Sequence, residues 1–351
     1  MAVVLLLGII ALPAFVLAQV PSAPASSTTF VPVVVENEAE VAKKEIETRA
    51  VALLEAGNFA ALDAMAREFR TREAAFANGY WKLSLFYQVV AGLNPNTPEK
   101  DFQTRLALLR RWFELDGSSI TARVAMARAL VCYAWHARGC DLKKEVTPDA
   151  GRLVAERISD ANLILETAKG LPEKCPYWYS TWITKAMLSS DDQPRFDEIF
   201  AEGVAKFPSY TPIYFMKAWW LEECWHGRPG DWEAFAKESA DRLGGEKGDI
   251  LYAQILWWIH DSRVYGNPVG ESVIEWPRAR RGFEAIRRQH PDSLLALSEY
   301  CSISGFAPQS ARRLMRSLFD ELGNRVDLKV WKSTDLFVRD RAWAYSGQNG
   351  K

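Results

Sequence analysis

Four histidines, five cysteines and scattered carboxylates are the residues of this 351-residue chain that could do chemistry. A metal site needs several Cys, His, Asp or Glu ligands converging on one point. His136, His226, His260 and His290 are far apart in sequence, and neither C-x-x-C nor H-E-x-x-H occurs. Cys224 and His226 are two positions apart, which on a helix sends them to different faces. They read as ordinary helix-end residues, so neither a metal nor another cofactor is expected. The glycine-rich stretch Gly244 to Gly248 lacks the Walker pattern and reads as a turn.

Acyl transfer has no signature either, because no G-x-S-x-G motif is present. Glu238-Ser239 and Glu271-Ser272 contain the Glu-Ser pair typical of lytic transglycosylases. Neither is followed by the Gly-Leu-Met-Gln stretch that accompanies the pair there. Whether two carboxylates face each other across a cleft is a three-dimensional property. The expectation is therefore no catalytic residue, with an enzyme of unrecognised type, for example glycan-processing, as the competing class.

Residues that could bind are easier to name. The segment CWHGRPGDW, Cys224 to Trp232, joins two strong helical patterns. One reading is structural: Asp231 caps a helix, Gly227 and Gly230 reverse the chain, and Trp232 packs on the preceding helix. The other makes Trp225, His226, Arg228 and Trp232 a rim contact for a partner, since Trp and Arg are typical interface anchors. A second candidate is the run Arg278, Arg280, Arg281, Arg287, Arg288, Arg312, Arg313 and Arg316. It is a solvated helix face, or else a patch for an anionic partner or membrane surface.

The elements that must position these residues are helical. Ile46, Ala50, Leu53 and Leu54 share one face, ended by Gly57. Asn58 then caps a helix carrying Phe59, Leu62, Ala66 and Phe69. Phe76, Tyr80, Leu83, Tyr87 and Val90 form the next stripe, and Phe102, Leu106, Leu109 and Phe113 another. Ile120 to Arg138 is rich in alanine, which lets neighbouring helices approach closely. Thr147-Pro148 opens a helix, as do Pro176, Pro194, Thr211-Pro212, Asp231 and Ser293. Val31 to Val35 is the only β-like run. The pattern predicts an all-α chain of antiparallel helical hairpins stacked as a tetratricopeptide-like solenoid, with residues 36–346 as one helical-repeat domain.

Composition sets the class. Net charge is −1, with no overall basic excess of the kind nucleic-acid binders show, so no nucleic acid is expected. Fourteen Trp, seventeen Phe and eleven Tyr are an unusual aromatic load, either packed between helices or lining a groove. Val3 to Ala18 is an apolar run of signal-peptide length, with Val16 and Ala18 at the −3 and −1 positions. Residues 1–18 are expected to be a signal peptide cleaved before Gln19, with an uncleaved anchor as the alternative. Residues 19–35 read as a flexible tail. The body is expected to be soluble, without a transmembrane span, and periplasmic or secreted. In that compartment five cysteines leave at least one thiol free. On one continuous helix Cys132 and Cys140 would stand about 12 Å apart, so a bridge would need a reversal at Gly139.

Four segments carry a family resemblance: ANGYWKLSLFYQ (Ala77 to Gln88), YAWHARG (Tyr133 to Gly139), CPYWY (Cys175 to Tyr179) and GRPGDWEAFA (Gly227 to Ala236). Together they resemble the bacterial domain of unknown function family 4034, a helical group related to tetratricopeptide proteins. The resemblance covers about residues 50 to 260. It implies the fold and a bacterial origin, and it brings no catalytic residues. The expected function is capture of a protein or peptide partner by an exported, non-enzymatic helical-repeat protein.

Overall fold

The computed structural model describes residues 30–92, 97–139, 146–188, 193–262, 274–308 and 311–346. The expected signal peptide and Cys140 lie outside the described residues. The chain is all-α, built of antiparallel helical hairpins. Its helices are α1 (Glu38–Glu55), α2 (Phe59–Thr71), α3 (Lys82–Ala91), α4 (Glu99–Leu115), α5 (Ile120–Arg138) and α6 (Pro148–Lys169). They continue with α7 (Pro176–Ala186), α8 (Gln193–Lys206), α9 (Thr211–Trp220), α10 (Asp231–Leu243) and α11 (Gly245–Ser262). The last are α12 (Trp276–Gln289), α13 (Leu294–Ser304), α14 (Arg312–Leu322), α15 (Leu328–Trp331) and α16 (Thr334–Tyr345).

Odd and even helices have different jobs, and their sequences show why. Even helices are striped: α4 buries Phe102, Leu106, Leu109 and Trp112, and α14 buries Met315, Leu318, Phe319 and Leu322. That is one face at helical spacing, with polar residues opposite. The odd helices from α3 to α13 are buried over most of their circumference. In α13 every residue from Leu295 to Ser304 is buried, and in α7 every residue except Thr184. Each odd helix packs on the next, α1 on α3, α3 on α5, and so on to α13. Ala125 and Ala129 of α5 are fully buried, the close approach their small side chains permit.

The series closes on itself. Helix α13 also packs on α1. Strand β1 (Val33–Val34) pairs in parallel with β2 (Arg325–Val326), with Val33 opposite Arg325. Asn37 Nδ2 donates to Asp327 Oδ2 at 2.6 Å, and Leu295 N to Glu38 Oε2 at 3.3 Å. Phe30 stacks on Phe337. The last residues of the expected tail are thus the ordered strand that joins the two ends of the array. One contiguous core runs from Ile46 to Ala344.

A hairpin enters the middle of this circuit. Phe76 and Tyr80 were expected on a helical stripe, but α3 starts only at Lys82. Ala75 and Trp81 instead pair as an antiparallel bridge, and Phe76 N donates to Tyr80 O at 2.9 Å. Gly79 sits at φ +82°, a backbone conformation that strains any residue with a Cβ, and a Cβ there would also push on the Gln254 amide 2.6 Å away. The hairpin touches helices that follow far along the chain. Asn78 donates to Glu299 Oε1 at 2.9 Å, Thr211 Oγ1 donates to Gly79 O, and Tyr80 stacks on Trp258 with ring centres 5.9 Å apart. Thr211 was expected as a helix cap, but it is already inside α9 and its hydroxyl holds the hairpin.

Candidate functional site

Helix α5 runs beside the hairpin. From Ile120 to Trp135 only Arg123 and Arg128 escape full burial. Arg128, Cys132 and Trp135 follow at helical spacing, so they form one stripe spanning about 10 Å. At its lower end Arg128 has Cys132, then Tyr177 and Tyr80, as its strongest neighbours, and it hydrogen-bonds to Tyr177. Its Nε is buried without a hydrogen-bond partner. Among the described residues no carboxylate pairs with it.

Burial works to lower the Arg128 pKa, and Cys132, Tyr177 and Tyr80 act to raise it, with a net upward shift. Those three groups cannot serve as counterions near pH 7. Burial raises the pKa of each: Tyr177 is pushed up to about 12, and Tyr80 and the Cys132 thiol also rise. They are neutral there and offer dipoles only. Tyr80 Oη accepts from Gln88 Nε2 at 2.6 Å, which leaves its own proton available to donate.

The upper end of the stripe meets the loop between α9 and α10. Trp135 contacts Trp225 edge-on at 5.9 Å between ring centres, and Trp225 contacts Trp219 at 5.1 Å. Trp225 therefore links the end of α9 to α5. Trp219, Trp225 and Trp258 are half-buried. The tryptophan pairs divide their labour: Trp220 and Trp257 are buried, while Trp219 and Trp258 keep an exposed edge. Trp258 is stacked between Tyr80 and Phe215, with Phe215 at 5.2 Å.

The predicted rim residues separate accordingly. Trp232 is buried and packs, while Arg228 and His226 are exposed. The His226 ring lies flat on Trp220 at 3.7 Å. Asp231 is not the N-cap of α10; Gly230 is, at φ +90°. Asp231 Oδ2 turns back to accept from Arg228 N at 2.8 Å, which fixes the loop rather than the helix. Gly227 approaches the Leu221 carbonyl so closely that a Cβ would stand 1.8 Å from its oxygen.

The basic run on α12 and α14 is largely neutralised. Arg278 meets Asp241 at 2.6 Å and Asp249 at 3.1 Å, Arg281 meets Asp249 at 2.7 Å, and Arg288 meets Glu246 at 2.7 Å. Arg280 pairs with Glu284, Arg287 with Glu321, and Arg312 lies over the Trp343 ring. This is the solvated face rather than an anion patch. A small cavity of about 20 Å³ beside Lys169, Lys174 and Lys206 has room for a water only. Glu202 answers the charge there: desolvation pushes its pKa up, Lys206, Tyr179 and Lys169 pull it down, and it ends at about 2.

Two groups inside the fold were not singled out by the sequence. Glu299 lies beneath the hairpin, and burial raises its pKa well above the carboxylate range, with Asp261 and Asp327 adding to the rise. Arg128 had one weak signal, a charge set with Arg123 in a stretch of small and apolar residues. Among the described residues no group of His, Cys, Asp and Glu could hold a metal ion, and no helix is long and apolar enough to cross a membrane. Compared with protein-family models, curated proteins and solved structures, the chain matches none of them.

Proposed function

We propose that this chain is an exported, non-enzymatic helical-repeat protein that binds a protein or peptide partner at the tryptophan mouth above α5. The observation that carries the reading is the pair Trp219 and Trp225, in contact with each other and half-buried in a molecule that buries most of its aromatics, with exposed His226 and Arg228 on the same loop as Trp225. Half-buried Trp beside Arg is the composition of an interface core and its border. The competing enzyme reading would need a carboxylate pair free to act on substrate, and the buried Glu299 is occupied with Asn78. Export and kinship with the family of domain 4034 belong to the same proposal and rest on the segments quoted above.

The test is a peptide-library selection on the purified body. Enriched peptides should lose binding about tenfold or more in Trp225→Ala, as an anchor of about 1.4 kcal/mol or more would. A selection that enriches nothing, or peptides indifferent to Trp219, Trp225 and Arg228 together, would refute the reading.

A further inference from the structure

An arginine cannot shed its charge, so a desolvated guanidinium must find an anion or remain costly. The fold shows how it treats such a group when the role is structural. Arg70, on α2, donates to Glu173 at 2.6 Å, to Thr121 Oγ1 of α5 at 3.3 Å and to Tyr87 Oη at 3.5 Å. Arg128 has the same kinds of neighbour, two tyrosines and a cysteine, without the glutamate. What is missing from its surroundings, among the described residues, is one carboxylate.

We propose that Arg128, with the hydroxyls of Tyr80 and Tyr177, is the receptor for a carboxylate on the bound ligand. This rests on the peptide-binding reading for the source of the carboxylate, which is a peptide C-terminus or an acidic side chain. The chemistry is argued from the group itself. A planar guanidinium presents paired N–H donors that match a carboxylate two-to-two. Tyr80 already accepts from Gln88, so its hydroxyl donates outward. The guanidinium itself carries one positive charge. That suits a monovalent carboxylate better than a doubly charged phosphate. Arg128 keeps partial exposure, and the stripe through Cys132 to Trp135 leads from it to the mouth where Trp225 sits. A partner held by the tryptophans would thus find the cation about 10 Å further in.

The experiment uses the whole folded body and three probes: sodium acetate against sodium chloride at equal ionic strength, an N-acetylated tripeptide with a free C-terminus, and its C-terminal amide. Binding is read by calorimetry and by the shift in melting temperature. Wild type should bind acetate or the free tripeptide, and the amide at least tenfold more weakly. Arg128→Met should fold and lose at least tenfold in carboxylate binding. Arg128→Lys, which keeps the charge without the fork, and Tyr177→Phe should each fall between the two. Acetate binding that depends on Arg128, with neither peptide bound, supports the anion site and refutes the peptide reading. Free and amidated peptides binding equally, with no effect of Arg128→Met, refutes the carboxylate receptor and leaves the peptide reading standing. No carboxylate-dependent response in wild type, or one retained in Arg128→Met, overturns the proposal. So does an Arg128→Met variant that fails to fold while Arg128→Lys folds without binding, because the guanidinium would then be a structural post.

Discussion

Arg70 and Arg128 border the same helix and share the same kinds of neighbour, yet only one is answered. The Arg70 side chain is 6 % exposed and meets Glu173, supplied by the segment between α6 and α7. Desolvation works to lower its pKa, and Tyr87, Cys175 and Glu173 more than offset that. At Arg128 nothing among the described residues takes the place of Glu173. Glu299 completes the contrast, since a carboxyl can neutralise itself by taking a proton and a guanidinium cannot. The difference teaches that a charge in the fold can be answered within the chain, as at Arg70, or by protonation, as at Glu299, whereas on the carboxylate-receptor proposal Arg128 is answered from outside.

Glu173→Ala breaks the comparison most strongly. It would leave Arg70 in the state of Arg128 without a ligand. Removing one partner of a fully buried pair costs about 3–5 kcal/mol. Glu173 is 39 % exposed, so screening brings the expected loss to about 2 kcal/mol, read by urea unfolding.

Glu299→Gln sharpens the protonation arm. The folded carboxyl titrates above its ordinary 4.5. Its favourable contribution is therefore present below that value and is lost as pH rises toward the folded pKa. Glutamine keeps an acceptor for Asn78 without the charge. Melting should change little at pH 4 and rise at pH 8, by about 1 kcal/mol of stability, the desolvation cost of one buried polar group. A variant that loses stability at pH 8 would show that the ionised carboxylate is the form the fold prefers.

Asp231→Ala should have a smaller effect, since it removes one hydrogen bond to Arg228 N on an exposed loop. The expected cost is about 0.5–1 kcal/mol. Trp225 should then pack less firmly on Trp135, seen as a shift in tryptophan emission. An unchanged spectrum and melting temperature would mean that the loop holds its shape without that bond.

How much was legible follows from how local each signal is. Asn58, Thr147 and Ser293 cap their helices as read, because a cap is made within four residues: Ala61 N, Ala150 N and Ala296 N are the donors. Thr211 and Asp231 carry the same local pattern, but partners outside the helix, Gly79 O and Arg228 N, claim their side chains. Phe76 and Tyr80 fit a helical stripe by spacing, yet Gly79 turns the chain between them. The β-like run at Val31 to Val35 was visible, but its mate at Arg325 lies at the far end of the sequence. The aromatic load read as packing or groove, and the molecule divides it residue by residue, Trp220 inward and Trp219 at the edge. Arg128 was passed over because a sequence shows a charge but not the absence of its partner.

The comparison of the two arginines has one most direct measurement: urea unfolding of Arg128→Met beside Glu173→Ala, in chloride buffer without ligand. A guanidinium that carries an uncompensated charge contributes little to folding, so Arg128→Met should match wild type within about 0.5 kcal/mol or exceed it, while Glu173→Ala falls by about 2 kcal/mol. A loss in Arg128→Met as large as that in Glu173→Ala would contradict the account, because Arg128 would then be holding the helices together as Arg70 does.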